Sequence, residues 1–303
     1  MGDSTVEIPT RLLILGMTGT DGALRMEELA PVADACGTSA EQLRSCLRRL
    51  VAEGVFEREG AGRSARYHAT PLGLAALEAH RDRLRRAYDL DHGARPWDGR
   101  WHLAAFAVPE SERAARDAFR EALRLQGGAP IQGGLYVSAS AWAEPVLAAA
   151  KELRVEGYVT LADSDDLAVG GVREPRELAR RLWRLDEVSA RYEAFLRHYE
   201  PLLPALAAMH ARREALPDAA FLPGALAMAV HFTPCFDADP LLPAALLPQP
   251  WPGARARELL LASRRLGLEL RAAQGRAQLF HFFDASIAAS DAEPDRAPTE
   301  EPT

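Results

Sequence analysis

A chain of 303 residues with 48% hydrophobic and 26% charged side chains is longer than one domain of about 150 residues and too apolar for a disordered polypeptide. Its formal net charge of -7 excludes an indiscriminate nucleic-acid coat, although it allows one local basic face. The N-terminus has no basic, apolar signal pattern and no uninterrupted apolar run of about 18 residues offers a membrane span, so a cytoplasmic protein without membrane partners is expected.

The first elements predicted are helices over Thr10–Thr18, with Leu12, Leu13, Ile14 and Leu15, and over Met26–Ala35, stopped by Gly37. A third follows over Ser39–Glu53, where Leu43, Leu47, Leu50 and Val51 repeat at i, i+4, i+7 and i+8 and so form one apolar stripe. Ser39-x-x-Gln42 reads as a capping box, with Thr38-x-x-Glu41 as an overlapping one, and Gly54 suits the helix stop. Strands are expected over Val55–Glu59 and Arg66–Ala69, turned by Gly60-Ala61-Gly62. Three helices and a hairpin in this order are those of a winged helix-turn-helix. From Arg44 to Arg86 the chain carries ten arginines against five acidic residues, a local excess that suits contact with phosphate.

In such an arrangement the third helix enters the major groove and presents its first turn and exposed face to base edges. Thr38, Ser39, Gln42, Arg44, Ser45 and Arg48 are placed for that task, with Arg49 beside them. Arg63 and Arg66 on the hairpin are placed to meet phosphates or the adjacent minor groove. The competing reading is a solvated helix face or a protein-binding module, and the helix order together with the hairpin favours double-stranded DNA.

A helix over Leu72–Tyr88 leads to a linker at Asp91–Pro96. Beyond it a strand is expected over Trp101–Val108, a helix over Ser111–Gln126 capped by Ser111, a strand over Leu135–Ser138, a helix over Glu144–Arg154 and a strand over Gly157–Leu161. That alternation implies a small ferredoxin-like sheet with its helices on one face. Further helices are expected over Glu174–Leu185, Glu187–Tyr199, Ala205–Ala215 and Arg255–Ala273. The acidic tail, residues 286–303, is short of apolar side chains and is expected to be disordered.

Enzyme and metal signatures are weak. No dinucleotide-binding, P-loop, zincin or nucleophile-elbow motif occurs. Cys36, Cys46 and Cys235 have no ligand spacing and read as buried thiols. Asp163, Asp165 and Asp166 could attract a hard cation but read as a solvated turn, and His198, His210 and His231 read as structural. Trp97, Trp101, Tyr136, Trp142 and Trp183 could line an aromatic-acyl cavity and Arg100, Arg113 or Arg173 could meet phosphates. Each reads more readily as core or surface, so neither catalytic nor metal residues are assigned and the effector-binding residues stay unknown.

The stretch Trp97-Asp98-Gly99-Arg100-Trp101, a strand ending in Val108-Pro109-Glu110, an arginine-bearing helix and Gly134-Leu135-Tyr136-Val137-Ser138 resemble the central domain of the PaaX family of transcriptional repressors. Asp239-Pro240-Leu241-Leu242-Pro243 and Trp251-Pro252-Gly253 are similar to motifs further along the same family. The resemblance implies an α+β chain in three parts: an N-terminal winged helix-turn-helix (1–90), a central ferredoxin-like, Cas2-like sandwich (95–172) and a C-terminal helical domain (173–285). It also implies a homodimer on operator DNA and a small-molecule effector such as phenylacetyl-CoA, with no cofactor. Ala107 stands where family members often carry an aspartate, which counts against the alternative of a metal-dependent nuclease in the central part.

Overall fold

The computed structural model describes residues 6–271 and 279–282, and by internal packing the chain divides into two units. One unites the chain through Tyr88 with Ala194–Phe236 and the residues from Ala254 onward, and the other comprises Asp89–Glu193 and Asp237–Gly253. The expected disordered tail, 286–303, lies outside the described residues.

In the first unit the chain forms α1 (Thr10–Gly16), β1 (Ala23–Arg25), α2 (Met26–Ala35), α3 (Ala40–Ala52), β2 (Phe56–Glu59), β3 (Arg66–Ala69) and α4 (Pro71–Asp91). Strand β1 is unforeseen. Three residues are too few to alternate, and it exists because Leu24 and Arg25 find ladder partners opposite Tyr67 and Arg66. The hairpin is thereby a three-stranded antiparallel sheet in the order β1-β3-β2. Leu13, Ile14, Leu29, Val32, Leu43, Leu47, Leu50 and Phe56 close around it in one buried core.

In the second unit lie β4 (Trp101–Phe106), α5 (Arg113–Leu125), β5 (Ala129–Gln132), β6 (Leu135–Ser138), α6 (Ala143–Glu152), β7 (Val159–Ser164) and α7 (Pro175–Leu182). The sheet runs β5-β6-β4-β7, antiparallel at every pairing. Ala104, Phe106 and Tyr136 bury against Phe119 and Leu123 of α5 and Val146 and Ala150 of α6, so both helices cover the same face. On the other face Trp101 lies between a tilted Trp97 and a stacked Trp183, with ring centroids 5.2 and 6.2 Å away. Where β6 begins, a Cβ on Gly134 would stand 2.1 Å from the Phe106 carbonyl oxygen, so only glycine permits that approach of hairpin to β4.

Three expectations for this unit are corrected. Strand β5 was not foreseen. It contains Pro130, which has no N–H to give, and it survives as an edge strand with a register shift between Pro130 and Gln132. Ser111 does not cap α5, because Glu110–Glu112 first form a 3-10 turn and Glu112 takes the cap position without a side-chain bond. A second 3-10 turn at Glu156–Tyr158 delays β7, so the strand runs on to Ser164 and Asp163 is a strand residue, not part of a solvated turn.

The remaining helices are α8 (Leu185–Tyr199), α9 (Leu202–Ala211), α10 (Asp218–Ala238) and α11 (Pro252–Leu270). Within the second unit, buried Asp239 accepts hydrogen bonds from the Tyr192 hydroxyl and the Leu241 N–H, both at 2.9 Å. These bonds anchor the Asp239–Pro243 motif on α8 and turn Leu241 and Leu242 inward. Helix α10 was not among the expected helices, and Pro223 and Pro234 inside it each remove a helix hydrogen bond. Burial outweighs the two missing hydrogen bonds: Phe221, Leu222 and Leu226 enter the same core as α1, α2 and α3. By length and composition alone α10 could span a membrane, but Pro223, His231, Thr233 and Pro234 interrupt its apolar run and 39% of that window is buried within the protein.

Candidate nucleic-acid interface

Helix α3 is started by the predicted capping box. The Ser39 hydroxyl accepts from the Gln42 N–H at 3.2 Å, and the Gln42 carboxamide accepts from the Ser39 N–H at 2.8 Å, which satisfies two of the orphan donors at a helix start. The overlapping Thr38–Glu41 box is not used: Thr38 is 8% exposed and its N–H is bonded to the Ala33 carbonyl at 2.8 Å. Ser39 and Gln42 remain at the surface, but each already spends one polar atom on the cap.

With Leu43, Cys46, Leu47 and Leu50 buried, helical periodicity turns Arg44, Arg48 and Arg49 to solvent, and all three are exposed, with Ser45 half-buried among them. At about 100° per residue the three arginines span about 140° of the helix surface, and Arg48 stands between the other two. On the hairpin Arg66 is exposed and lies directly across from Glu59, while Arg63 occupies the 3-10 turn Gly62–Ser64. Gly60 and Gly62 there have φ of 76° and 64°, conformations that suit glycine.

The charge balance separates these arginines from their neighbours. Arg11 is paired with Glu53 at 2.6 Å, and Arg25 lies 3.6 Å from Asp21 and 3.7 Å from Glu28. Among the described residues Arg44, Arg48, Arg49, Arg58 and Arg66 have no carboxylate within ion-pair distance. Sequence reasoning missed Arg58. It shares its strand face with buried Phe56 yet is exposed toward the end of β2, and the run of arginines at 58, 63 and 66 was the signal that could have included it.

Elsewhere the candidate groups are divided or already engaged. The aromatic set falls on two faces of the sheet: Trp97, Trp101 and Trp183 lie on one, whereas Tyr136 and Trp142 belong to the core on the other. Arg113 lies 3.6 Å from Asp117 and Arg173 is hydrogen-bonded to Asp166. Asp163 faces His102 Nδ1 at 2.7 Å. Among the described residues, His, Cys, Asp and Glu side chains form no group of three that could hold a metal ion.

The cysteines are all thiols, and burial pushes Cys36 up to about 11, far from the range of a reactive thiolate. In the first unit the Tyr199 hydroxyl meets His231 Nδ1 at 2.8 Å. Burial pushes Tyr199 up to about 12, while burial and the nearby His198 ring hold His231 below its ordinary value.

Comparison with known proteins identifies the family. Residues 94–179 match the PaaX protein central Cas2-like domain, and residues 183–274 match the PaaX-like protein C-terminal domain. The chain belongs to the PaaX family. A PaaX relative, the transcriptional repressor PaaX of Escherichia coli strain K12, is 27% identical over 241 residues, or 79% of this chain and 73% of the relative. An uncharacterized protein of Mycobacterium tuberculosis shares the fold, with a TM-score of 0.53 at 23% identity over 95% of this chain and 99% of that one. The central part of this PaaX family member is thus Cas2-like, within a chain of mixed helix and sheet.

Proposed function

We propose that this PaaX family member is a cytoplasmic transcriptional repressor that binds double-stranded operator DNA as a homodimer and is released by a small-molecule effector, such as an aryl-CoA thioester. The N-terminal residues through about 90 act as a winged helix-turn-helix, followed by the ferredoxin-like central part and the C-terminal helices. One observation carries the reading. On a chain of net charge -7, α3 and the β2–β3 hairpin expose Arg44, Arg48, Arg49, Arg58 and Arg66 without carboxylate partners among the described residues.

In this reading α3 lies in the major groove, with Arg48 directed at base edges and Arg44 and Arg49 at the flanking phosphates. Ser39, Gln42 and Ser45 border the contact, and the hairpin with Arg58, Arg63 and Arg66 meets the neighbouring backbone or minor groove. Thr38, being buried, supports the helix start. The central and C-terminal parts hold the two protomers together, so the two recognition helices meet the halves of an inverted repeat. An effector acts by binding the DNA-free arrangement more tightly, since only a difference in affinity can shift the population.

The test is a fluorescence-anisotropy titration against DNA tiling the upstream region, at two salt concentrations, with and without phenylacetyl-CoA. Tight, salt-sensitive binding to one tile supports the repressor, and release by the thioester supports that effector class. Binding to every tile alike, or binding indifferent to salt, overturns operator recognition, because counterion release accompanies phosphate contact.

A further inference from the structure

We propose that Asp98, His102 and Asp163 form a proton-operated latch that fastens the turn at residues 97–100 to the rim of the central sheet. His102 is 8% exposed and both of its ring nitrogens face carboxylate oxygens: Nδ1 lies 2.7 Å from Asp163 Oδ1 and Nε2 lies 3.0 Å from Asp98 Oδ2. Ionised carboxylates only accept hydrogen bonds. A neutral imidazole has one donor and one acceptor, whereas the imidazolium has two donors. Both contacts are therefore hydrogen bonds only while the ring carries its second proton. When that proton leaves, one nitrogen turns a lone pair toward a carboxylate, and that side repels.

The fold decides which side opens. Asp163 is held in β7, its backbone in register with His102 itself, so only its side chain can turn away while the ladder stays intact. Asp98 sits in a short turn secured locally, with its Oδ1 accepting from the Arg100 N–H at 2.9 Å and Trp97 Nε1 donating to the Arg100 carbonyl at 2.9 Å. Gly99 gives the turn its φ of 80°. Loss of the proton therefore frees the turn and leaves the sheet in place, and Trp97, 5.2 Å from buried Trp101, moves with it.

On His102's own strand the neighbours are apolar, and directly across on β6 stands Ser138, neutral and donating to the Ser140 carbonyl. The helices on this face of the sheet present Phe119, Leu123, Val146 and Ala150. Beyond Asp163, Asp166 is bonded to Arg173, and Asp165 and Arg100 are exposed. The ring lies between the two carboxylates, so one metal ion cannot gather all three groups, whereas a proton bridges them.

The experiment follows tryptophan fluorescence of the full-length protein as a function of pH, across the range in which circular dichroism shows it folded. A single-proton change in emission is expected in the natural protein. His102→Gln keeps a donor toward Asp98 that does not titrate, and its emission is expected to stay flat. Asp98→Asn gives a neutral amide that bonds to either form of the ring, and its emission is also expected to stay flat. A natural protein without the change, or the same change in a folded His102→Gln, overturns the latch. If circular dichroism shows His102→Gln unfolded, Asp98→Asn decides alone: a flat trace supports the latch and an unaltered transition refutes it.

Discussion

Arg48→Ala is the sharpest probe of the proposed DNA contact. Arg48 is exposed between Arg44 and Arg49 on α3 and no described carboxylate pairs with it, so its removal deletes a positive charge without disturbing the core beneath. Each phosphate neutralised contributes about 0.9 to the slope of log affinity against log salt. Five arginines without a carboxylate partner among the described residues would contribute about 4 to 5 to that slope per protomer if each met a phosphate. If Arg48 reads a guanine edge, Arg48→Ala is expected to cost about 1–3 kcal/mol on the preferred site, or about 5- to 150-fold, and to narrow the gap between preferred and unrelated DNA. If it holds a phosphate, affinity falls on all sequences alike and the slope drops by about 0.9. Anisotropy titrations at several salt concentrations, on the preferred tile and on unrelated DNA, separate the two outcomes. Arg11→Ala, which removes an arginine already paired with Glu53, serves as the control and is expected to leave both quantities near their starting values. An Arg48→Ala protein with unchanged affinity, preference and slope would refute the placement of α3 in the groove.

Three further predictions concern the fold. Leu47 is 1% exposed in the core of the first unit, so Leu47→Ala is expected to cost about 2–5 kcal/mol, seen as a lower urea midpoint at an unchanged slope. Gly134→Ala would put a methyl group 2.1 Å from the Phe106 carbonyl oxygen, and a loss of roughly 1–3 kcal/mol or more is expected from the forced displacement of the β5–β6 hairpin, read in a thermal melt. His231 is held below its ordinary 6.5, first by burial and then by His198, so the folded state favours its neutral form. Its contribution to stability is complete above about pH 6.5 and declines as pH falls toward its folded value. Melting temperatures at about pH 7.5 and about pH 5.5 should differ less in His231→Gln than in the natural protein, and an identical difference would remove His231 as a cause.

Local signals were legible where a short stretch of sequence contains its own reason. The Ser39–Gln42 box, the leucine stripe and Gly54 delimited α3 to within a residue at either end, and the outward turn of Arg44, Arg48 and Arg49 followed from the same period. Elements that depend on distant partners were not legible. Strand β1 has three residues and needs β3 to exist; β5 is an edge strand hidden by its proline; α10 carries two prolines that only burial against α1–α3 can outweigh. At the candidate interface the burial of Thr38 escaped for the same reason, since it depends on how α2 meets α3. The meeting of His102 with Asp163, 61 residues apart, depends on the register of β4 against β7, which a delayed strand start had misplaced.

That register also bears on whether a Cas2-like domain in this chain cuts nucleic acid. Hydrolysis assisted by magnesium needs carboxylates free to share an ion with a water and a phosphate oxygen. After β4, where family members often carry an aspartate, this chain has Ala107. At the far end of β7 the Asp163 carboxylate is turned to His102 and Asp166 to Arg173. Among the described residues no three acidic, histidine or cysteine side chains group to hold a metal ion, and an exposed carboxylate without companions binds magnesium weakly. Incubation of the protein with labelled single- and double-stranded DNA and RNA in magnesium or manganese is therefore expected to yield no cleavage above a metal-free control. Cleavage that disappears in Asp163→Ala would show that the His102 contact gives way to a metal ion, and would overturn the assignment of Asp163 to the latch.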